Sequence, residues 1–528
     1  MRVPPGRAHG GLSAVLLGFA ALWLVSRLIG GLEFPLYGDE TEKILAARMI
    51  AGGQRLYGDV FAHHGPLNYL LAHIAASAAP AAEVGDNVAP YRAMQVLVAC
   101  LGMATLWGSV APRTVLEKRY FIALTMLLYG AYFLNIRAYL LLYHAIGGLL
   151  FANILFLFCV PAALGRRPPR GAILLSGAFA ALALLCSYFY TLPLAFLFLS
   201  AVVFNAATGL GARDQLGFIG VTFLGVACGA VPVVLWLVCF GDLPGYLVFH
   251  FYFNQVIYAG FIEFSLLDAW GQFALGPGDD PRIIWPALVM LALPVFLAVS
   301  IHRQRGLRGL DAAGIALLFL GVLYMNARNE TGYGTFKAAP LQISCLAIVA
   351  FMLARLTAGA GQRRAGTVAA LGLCGGAAGV VGWLETTDSL ARNLSRAAMA
   401  RYEAAAGQQR AEAAAMTSWL DARLGPDVGM VSTPWNVEAY LLLGRAPAIA
   451  TFYYLPWQAA YERRPALGLT RDYCAELDAA QPAILLVPPE AEVWGHAFDA
   501  YAPCVRALVE TSYAPTPFPG LFLRAARP

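Results

Sequence analysis

The run LSAVLLGFAALWLVSRLIG (Leu12–Gly30) gives way at once to GLEFPLYGDETEKILAARMIAGGQRLYGDVFAHHGPL (residues 31–67). The first stretch is long and apolar enough to cross a bilayer core of roughly 30 Å, which takes about 20 apolar residues as a helix. The second is crowded with Asp39, Glu40, Glu42, Lys43, Arg48, Arg55, Asp59, His63 and His64. A membrane span followed by a charged connection sets the reading of the whole chain.

Outward from this junction, apolar runs of similar length recur at Tyr91–Ala111, Tyr120–Asn135, Tyr143–Leu164, Gly171–Ser187, Leu192–Ala207, Leu216–Phe240, Ile283–Ile301, Ala312–Met325, Pro340–Thr357 and Thr367–Leu384. About eleven spans are therefore expected, in an all-α polytopic membrane domain. The 528 residues are 59% hydrophobic and 13% charged, a balance that excludes a soluble globular enzyme, a disordered tail and a disulfide-knotted secreted domain. The formal charge of +5 is scattered, so no nucleic-acid partner is expected. Only Lys43, Lys118 and Lys337 among the 36 basic residues are lysines, a bias that points to a GC-rich bacterial genome.

Arginine and lysine set the orientation. Arg2 and Arg7, then Arg113, Lys118 and Arg119, then Arg166, Arg167 and Arg170, then Arg303, Arg305 and Arg308, and finally Arg363 and Arg364 fall in alternate short connections, as cytoplasmic loops require. The N-terminus is expected inside the cell. Leu12–Gly30 is long for a signal-peptide core and is expected to remain as an anchor. With an odd number of spans, residues 31–90 and the C-terminal part emerge on the outer face, the periplasmic side of a bacterial inner membrane.

These boundaries give a membrane domain over residues 1–384, including the first outer loop 31–90, and a small periplasmic α/β domain over residues 385–528. In the latter, Val428–Ser432 and Ala483–Val487 read as buried strands and Asn436–Leu443 as a helix between them. Cys474 and Cys504 lie in this oxidising outer part and are expected to form a disulfide, whereas the other seven cysteines lie in apolar runs.

The first outer loop is far longer than an ordinary connection, and function is the usual reason for such length. Ile44, Leu45, Met49 and Ile50 interleave with charges, the pattern of an amphipathic helix lying on the membrane surface. Gly38-Asp39-Glu40 would start that helix, where acids ordinarily act as a cap or complement the helix dipole.

Asp39-Glu40, the Gly52-Gly53 turn and His64-Gly65-Pro66-Leu67 together resemble the integral-membrane glycosyltransferases of the C-type fold. The likeness is to the bacterial branch related to protein O-mannosyltransferases and the lipid A aminoarabinose transferase. That branch carries an acidic pair after its first span, an amphipathic helix ending in a glycine turn, and a basic-Pro-Pro-Leu segment. His63-His64-Gly65 stands here where the branch has its lysine before the prolines.

The resemblance implies transfer of a sugar from a polyprenyl-phosphate donor to a lipid, polysaccharide or protein acceptor at the outer face, typically with inversion. Such chemistry needs a carboxylate to take the acceptor's proton, the role expected of Asp39 with Glu40 orienting it or the sugar. It also needs cationic or hydrogen-bonding groups on the lipid phosphate, for which Lys337, Arg328, His64 and Arg137 lie on outer connections. Tyr57, Asp59, His63 and Tyr333 are candidate substrate contacts. No cofactor is required; a divalent metal held by His63, His64 and Asp59 is a minor alternative, since adjacent histidines point apart on a regular element. A transporter or flippase of lipid-linked sugars would place ionisable residues within the spans, and a non-catalytic scaffold of the same fold would tolerate loss of Asp39.

Overall fold

The computed structural model describes residues 5–32, 34–78, 88–133, 136–261, 284–325, 335–359, 396–488, 492–493 and 495–525. The chain forms two compact units. One comprises Met1–Leu32, Arg92–Val233 and Phe264–Met399; the other gathers Glu33–Tyr91, Val234–Glu263 and Ala400–Pro528.

The first unit is a bundle of apolar helices. Among the described residues, six helices are long and apolar enough to span a membrane: Gly11–Gly30, Tyr143–Ala163, Tyr188–Ala207, Ala212–Phe240, Leu288–Arg305 and Ala339–Thr357. Arg170–Cys186 and Gly309–Tyr324 are apolar but shorter. The expected count of eleven is not reached by this measure, because several runs fold as helices under 18 residues and Thr367–Leu384 lies outside the described residues. The chain is a multi-pass membrane protein.

Tyr143–Ala163 is buried along its whole length, as expected of a helix apolar on every face. Its mid-helix polar side chain, Asn153, is satisfied within the bundle: Nδ2 donates to the carbonyls of Gly102 and Leu149 (both 2.9 Å) and Oδ1 accepts from Thr105 Oγ1 (2.6 Å). Where every neighbour is apolar, close packing rather than water exclusion joins helices, and small residues allow it. Gly225 and Gly229, four apart on one helix, face Gly177 and Ala178 on another so closely that an added Cβ would overlap backbone atoms.

The basic connections meet at one end of this bundle. Arg166 donates to the carbonyls of Val110 and Ala111 (2.6 Å each), Arg355 lies 3.6 Å from Glu117, and Arg308 reaches the Ala207 carbonyl (3.4 Å). At the C-terminus of the first helix, buried Arg92 donates to the orphan carbonyls of Gly31 and Leu32 (3.2 and 3.1 Å).

The second unit combines two helices of the segment after the first span, Gly38–Ala51 and Pro66–Ala78, a helical stretch from Leu243 to Phe261, and a C-terminal α/β part. Its strands are β1 (Met430–Ser432), β2 (Ile484–Leu486), β3 (Glu492–Val493), β4 (His496–Ala497), β5 (Tyr513–Pro515) and β6 (Leu521–Arg524). The main sheet runs β1-β2-β6-β5, with β1 parallel to β2 and the remaining pairs antiparallel; β3 and β4 form a separate hairpin. Val431 and Leu485 on the central strands join Tyr454, Tyr473, Leu477, Phe498 and Val505 in the core. Cys474 and Cys504 are disulfide-bonded at the edge of this core.

Gly38–Ala51 departs from expectation. It is not an amphipathic helix on a membrane surface: Glu40, Thr41, Glu42 and Lys43 are as buried as Ile44, Leu45 and Ala47. Charges on a helix mark a wet face only when they lack internal partners, and here Glu42 and Lys43 supply each other's.

Candidate active site

The helix Gly38–Ala51 starts without a side-chain cap, its N-cap being Tyr37 in extended conformation. Asp39 and Glu40 occupy its first turn, where an acid meets the positive end of the helix dipole. Asp39 is half-buried and Glu40 fully buried. Asp39 is therefore a first-turn acid and not the cap itself. Beside it, a Cβ on Gly38 would lie 2.8 Å from Trp435 Nε1 and 3.3 Å from Glu438 Oε1, so only glycine lets Glu438 close over the helix start.

One turn further, Glu42 and Lys43 form an ion pair at 2.6 Å with neither side chain exposed. The Glu42 carboxylate has three neighbours: Tyr69 Oη donates to Oε1 (2.6 Å), Lys43 Nζ donates to Oε2, and His64 Nδ1 lies 3.5 Å from Oε2. Burial works to raise the Glu42 pKa, but Lys43 and His64 outweigh it and hold the carboxyl well below its ordinary range. Burial, reinforced by Lys43, lowers the His64 pKa against the opposing pull of Glu42 and Asp39.

His63 and His64 lie on an irregular stretch between the turn at residues 55–60 and the helix Pro66–Ala78, so their rings do not point apart; their centroids are 4.2 Å from one another. His63 Nδ1 is 3.2 Å from Tyr453 Oη. The His63 carbonyl is met by Asn254 Nδ2 (2.7 Å) and His250 Nδ1 (3.2 Å), and the His64 carbonyl accepts from Tyr57 Oη (2.5 Å). Tyr57, Tyr69 and Tyr453 are pushed well above the ordinary tyrosine pKa by burial and by Glu42, so they remain neutral donors. Glu438 is raised by burial and by Asp39, which favours its protonated form beside an acid in the first turn.

Asp39, His63 and His64 are thus brought into one cluster, joined by Glu42, Lys43, Tyr69, Tyr453 and Glu438. Tyr57 holds the cluster's backbone through its hydroxyl, with its ring wholly buried. Asp59 is turned away into its own loop, where Oδ2 accepts from the Arg55 N–H (2.7 Å). Its place in the expected metal-ligand trio is taken by Glu42: ligand atoms of Glu42, His63 and His64 all lie within 4.8 Å of one another. In the helical unit, Lys337 lies half-buried in the turn Thr335–Ala338, and Arg137 sits in a left-handed backbone conformation (φ 47°). Arg328 and Tyr333 lie outside the described residues.

No protein-family model matches this sequence, and no curated protein matches it significantly. Solved structures do match. The crystal structure of ArnT from Cupriavidus metallidurans in the apo state is similar over 98% of both chains, with a TM-score of 0.58 at 13% identity. The same protein bound to undecaprenyl phosphate aligns over 97% of this chain and 98% of that one, with a TM-score of 0.52 at 14% identity. The fold is the C-type glycosyltransferase fold. The archaeal oligosaccharyltransferase AglB from Archaeoglobus fulgidus is more distant, with a TM-score of 0.42 at 10% identity.

The sequence pointed to the segment after the first span but not to several members of the cluster that the structure gathers there. Glu42 and Lys43 read as solvated charges, and Tyr69, Tyr453 and Glu438 carried no motif. One signal was present: Lys43 is one of three lysines in a chain that otherwise uses arginine.

Proposed function

We propose that the chain transfers a sugar from a polyprenyl-phosphate-linked donor to an acceptor on the outer face of the membrane, with inversion at the anomeric carbon and Asp39 as general base. The observation that carries this reading is a partly exposed carboxylate in the first turn of an otherwise largely buried helix, within a chain of C-type fold along nearly its whole length. ArnT of the same fold has been crystallised with undecaprenyl phosphate, which supports a lipid phosphate as the leaving group.

In this mechanism Asp39 accepts the proton of the attacking acceptor group as the bond to the anomeric carbon forms and the phosphate oxygen departs. Glu40, buried next to it, orients the base. Glu438, whose pKa is raised by burial and by Asp39, lies beside the start of the same helix. His64, Lys337, Arg137 and Arg328 are the groups proposed to meet the phosphate, and His63, Tyr57, Asp59 and Tyr333 to shape the substrate site.

Mass spectrometry of envelope glycolipids and glycoproteins from a deletion strain identifies the missing sugar and its acceptor. With those in hand, transfer by the purified chain in proteoliposomes is compared with that of Asp39→Asn. Loss of general-base catalysis predicts a fall of about 10²- to 10⁴-fold in kcat at unchanged expression and thermal stability. Transfer by Asp39→Asn at the wild-type rate would overturn the assignment.

A further inference from the structure

At the end of the helical bundle where the basic connections meet, Glu117 lies buried in the first turn of the helix Val115–Ala131. Its Oε2 accepts from the Arg113 backbone N–H (2.8 Å), and its Oε1 forms an ion pair with Arg355 Nη1 (3.6 Å). Arg166 is attracted by the same carboxylate and repelled by Arg113, while Arg355 is repelled by both Arg113 and Arg166. Gln304, with its amide turned to satisfy both neighbours, accepts from Arg113 Nη2 (2.9 Å) and donates to the Leu164 carbonyl (3.1 Å). That bond ties Arg113 to the connection that carries Arg166. Guanidiniums from three separate segments thus converge on one carboxylate.

Converging like charges oppose the compact state unless an anion neutralises them. Among the described residues Glu117 is the only acid that attracts Arg166 and Arg355, so the group stays two charges positive. Donors are in excess as well, since each guanidinium carries five N–H groups. Arg166 uses Nη1 on the Val110 and Ala111 carbonyls, and Arg355 Nη1, beyond its ion pair, has no hydrogen-bond acceptor among the described residues. Surplus charge and surplus donors together suit an oxyanion with several acceptor oxygens, such as a phosphate.

This end of the bundle is not the one that carries the groups proposed for the sugar donor's phosphate. The helix Ala339–Gly359 follows the turn that holds Lys337 and carries Arg355 near its other end, about 25 Å away at 1.5 Å per residue. Val115–Ala131 likewise has Glu117 near its start and Arg137 beyond its end. Apolar side chains border the charges: Val115 and Trp107 are 62% and 42% exposed, and Lys118 Nζ lies 5.8 Å from the centre of the Trp107 ring. A soluble anion would use only the cations. A phospholipid uses both features, its phosphate meeting the arginines and its chains the apolar groups at the span ends.

We propose that Arg113, Arg166 and Arg355 bind the phosphate of an anionic phospholipid, with Glu117 holding Arg355 in place and Trp107 and Val115 facing the acyl chains. The inference stands apart from the proposed transfer reaction and from its donor.

The test uses the full chain, delipidated in detergent and titrated with phosphatidylglycerol or with phosphatidylcholine of the same chains, bound lipid being counted by native mass spectrometry. Phosphatidylglycerol should be retained in preference to phosphatidylcholine. Arg113→Gln and Arg355→Gln should each weaken its retention by at least about 5-fold, whereas Arg213→Gln, an exposed arginine at the start of the helix Ala212–Phe240, should change it little. Inorganic phosphate at the same concentration should not displace the lipid, because it lacks the chains. A headgroup-photoreactive phosphatidylglycerol cross-linked to the wild-type chain gives a readout independent of variant folding, with attachment expected in segments 107–119, 161–170 or 351–359. Equal retention of both lipids, retention unaltered in both variants or equally reduced in Arg213→Gln, displacement by inorganic phosphate, or cross-links confined to other segments would each overturn the proposal.

Discussion

Removal of Lys43 tests the buried cluster most directly. The Lys43 ammonium and the Glu42 carboxylate are 2.6 Å apart and both wholly inaccessible to water. Lys43→Met keeps much of the aliphatic volume but strands a buried carboxylate. Such an uncompensated charge costs about 3–5 kcal/mol. Glu42→Gln does the converse: it preserves the acceptor for the Tyr69 hydroxyl but strands the ammonium, at a similar cost of about 3–5 kcal/mol. The double variant leaves neither charge behind, so its loss should be smaller than the sum of the two single losses by about 2–3 kcal/mol or more. The assay is thermal unfolding of the four detergent-solubilised proteins, followed by tryptophan fluorescence, with each single variant expected about 3–5 °C below wild type. Additive losses, or single variants that each cost less than about 1 kcal/mol, would show that the pair is hydrated and that the cluster's electrostatics have been misread.

Two further outcomes follow from other parts of the molecule. Gly225→Leu places a side chain against the Leu174 carbonyl on the neighbouring helix and should separate the two helices, lowering the apparent Tm by several degrees, whereas leucine at exposed Gly220 should leave it nearly unchanged. Glu462 accepts hydrogen bonds from Tyr454 Oη (2.6 Å) and the Tyr473 N–H (2.7 Å), yet its pKa is raised above 4.5, by burial first and by Asp472 and Glu476 in addition. A raised carboxyl pKa means the folded state holds the proton more tightly, so this contribution to stability is complete at low pH and is lost as pH climbs through the folded value. Glu462→Gln removes that dependence. Its Tm relative to wild type should be highest at about pH 8 and fall toward about pH 5; a constant difference across that range would refute the assignment.

Membrane character was legible because lipid imposes a local rule. Backbone polar groups in hydrocarbon must be satisfied within the segment, so each span is helical and apolar wherever it sits in the bundle. The apolar runs at Tyr143–Leu164, Leu216–Phe240 and Pro340–Thr357 accordingly appear as helices near their expected bounds. Arginine placement was equally local, and Val428–Ser432 and Ala483–Val487 declared themselves as buried strands by composition. The count of spans is not settled by the same rule, because helices such as Arg170–Cys186 and Gly309–Tyr324 are apolar but under 18 residues and Thr367–Leu384 lies outside the described residues.

The sequence by itself determined a polytopic chain with a charged segment after its first span that opens on Asp39-Glu40. Only the tertiary structure decided which charges are dry. A helix carrying Glu42 and Lys43 has the same periodicity whether water or protein surrounds it, because burial depends on partners the local sequence does not contain. Tyr69, 27 residues from Glu42, and Tyr453, 390 residues from His63, supply those partners. Contacts across such distances arise from packing of the whole unit, and they turn a stretch that reads as a wet amphipathic helix into the floor of a charged site.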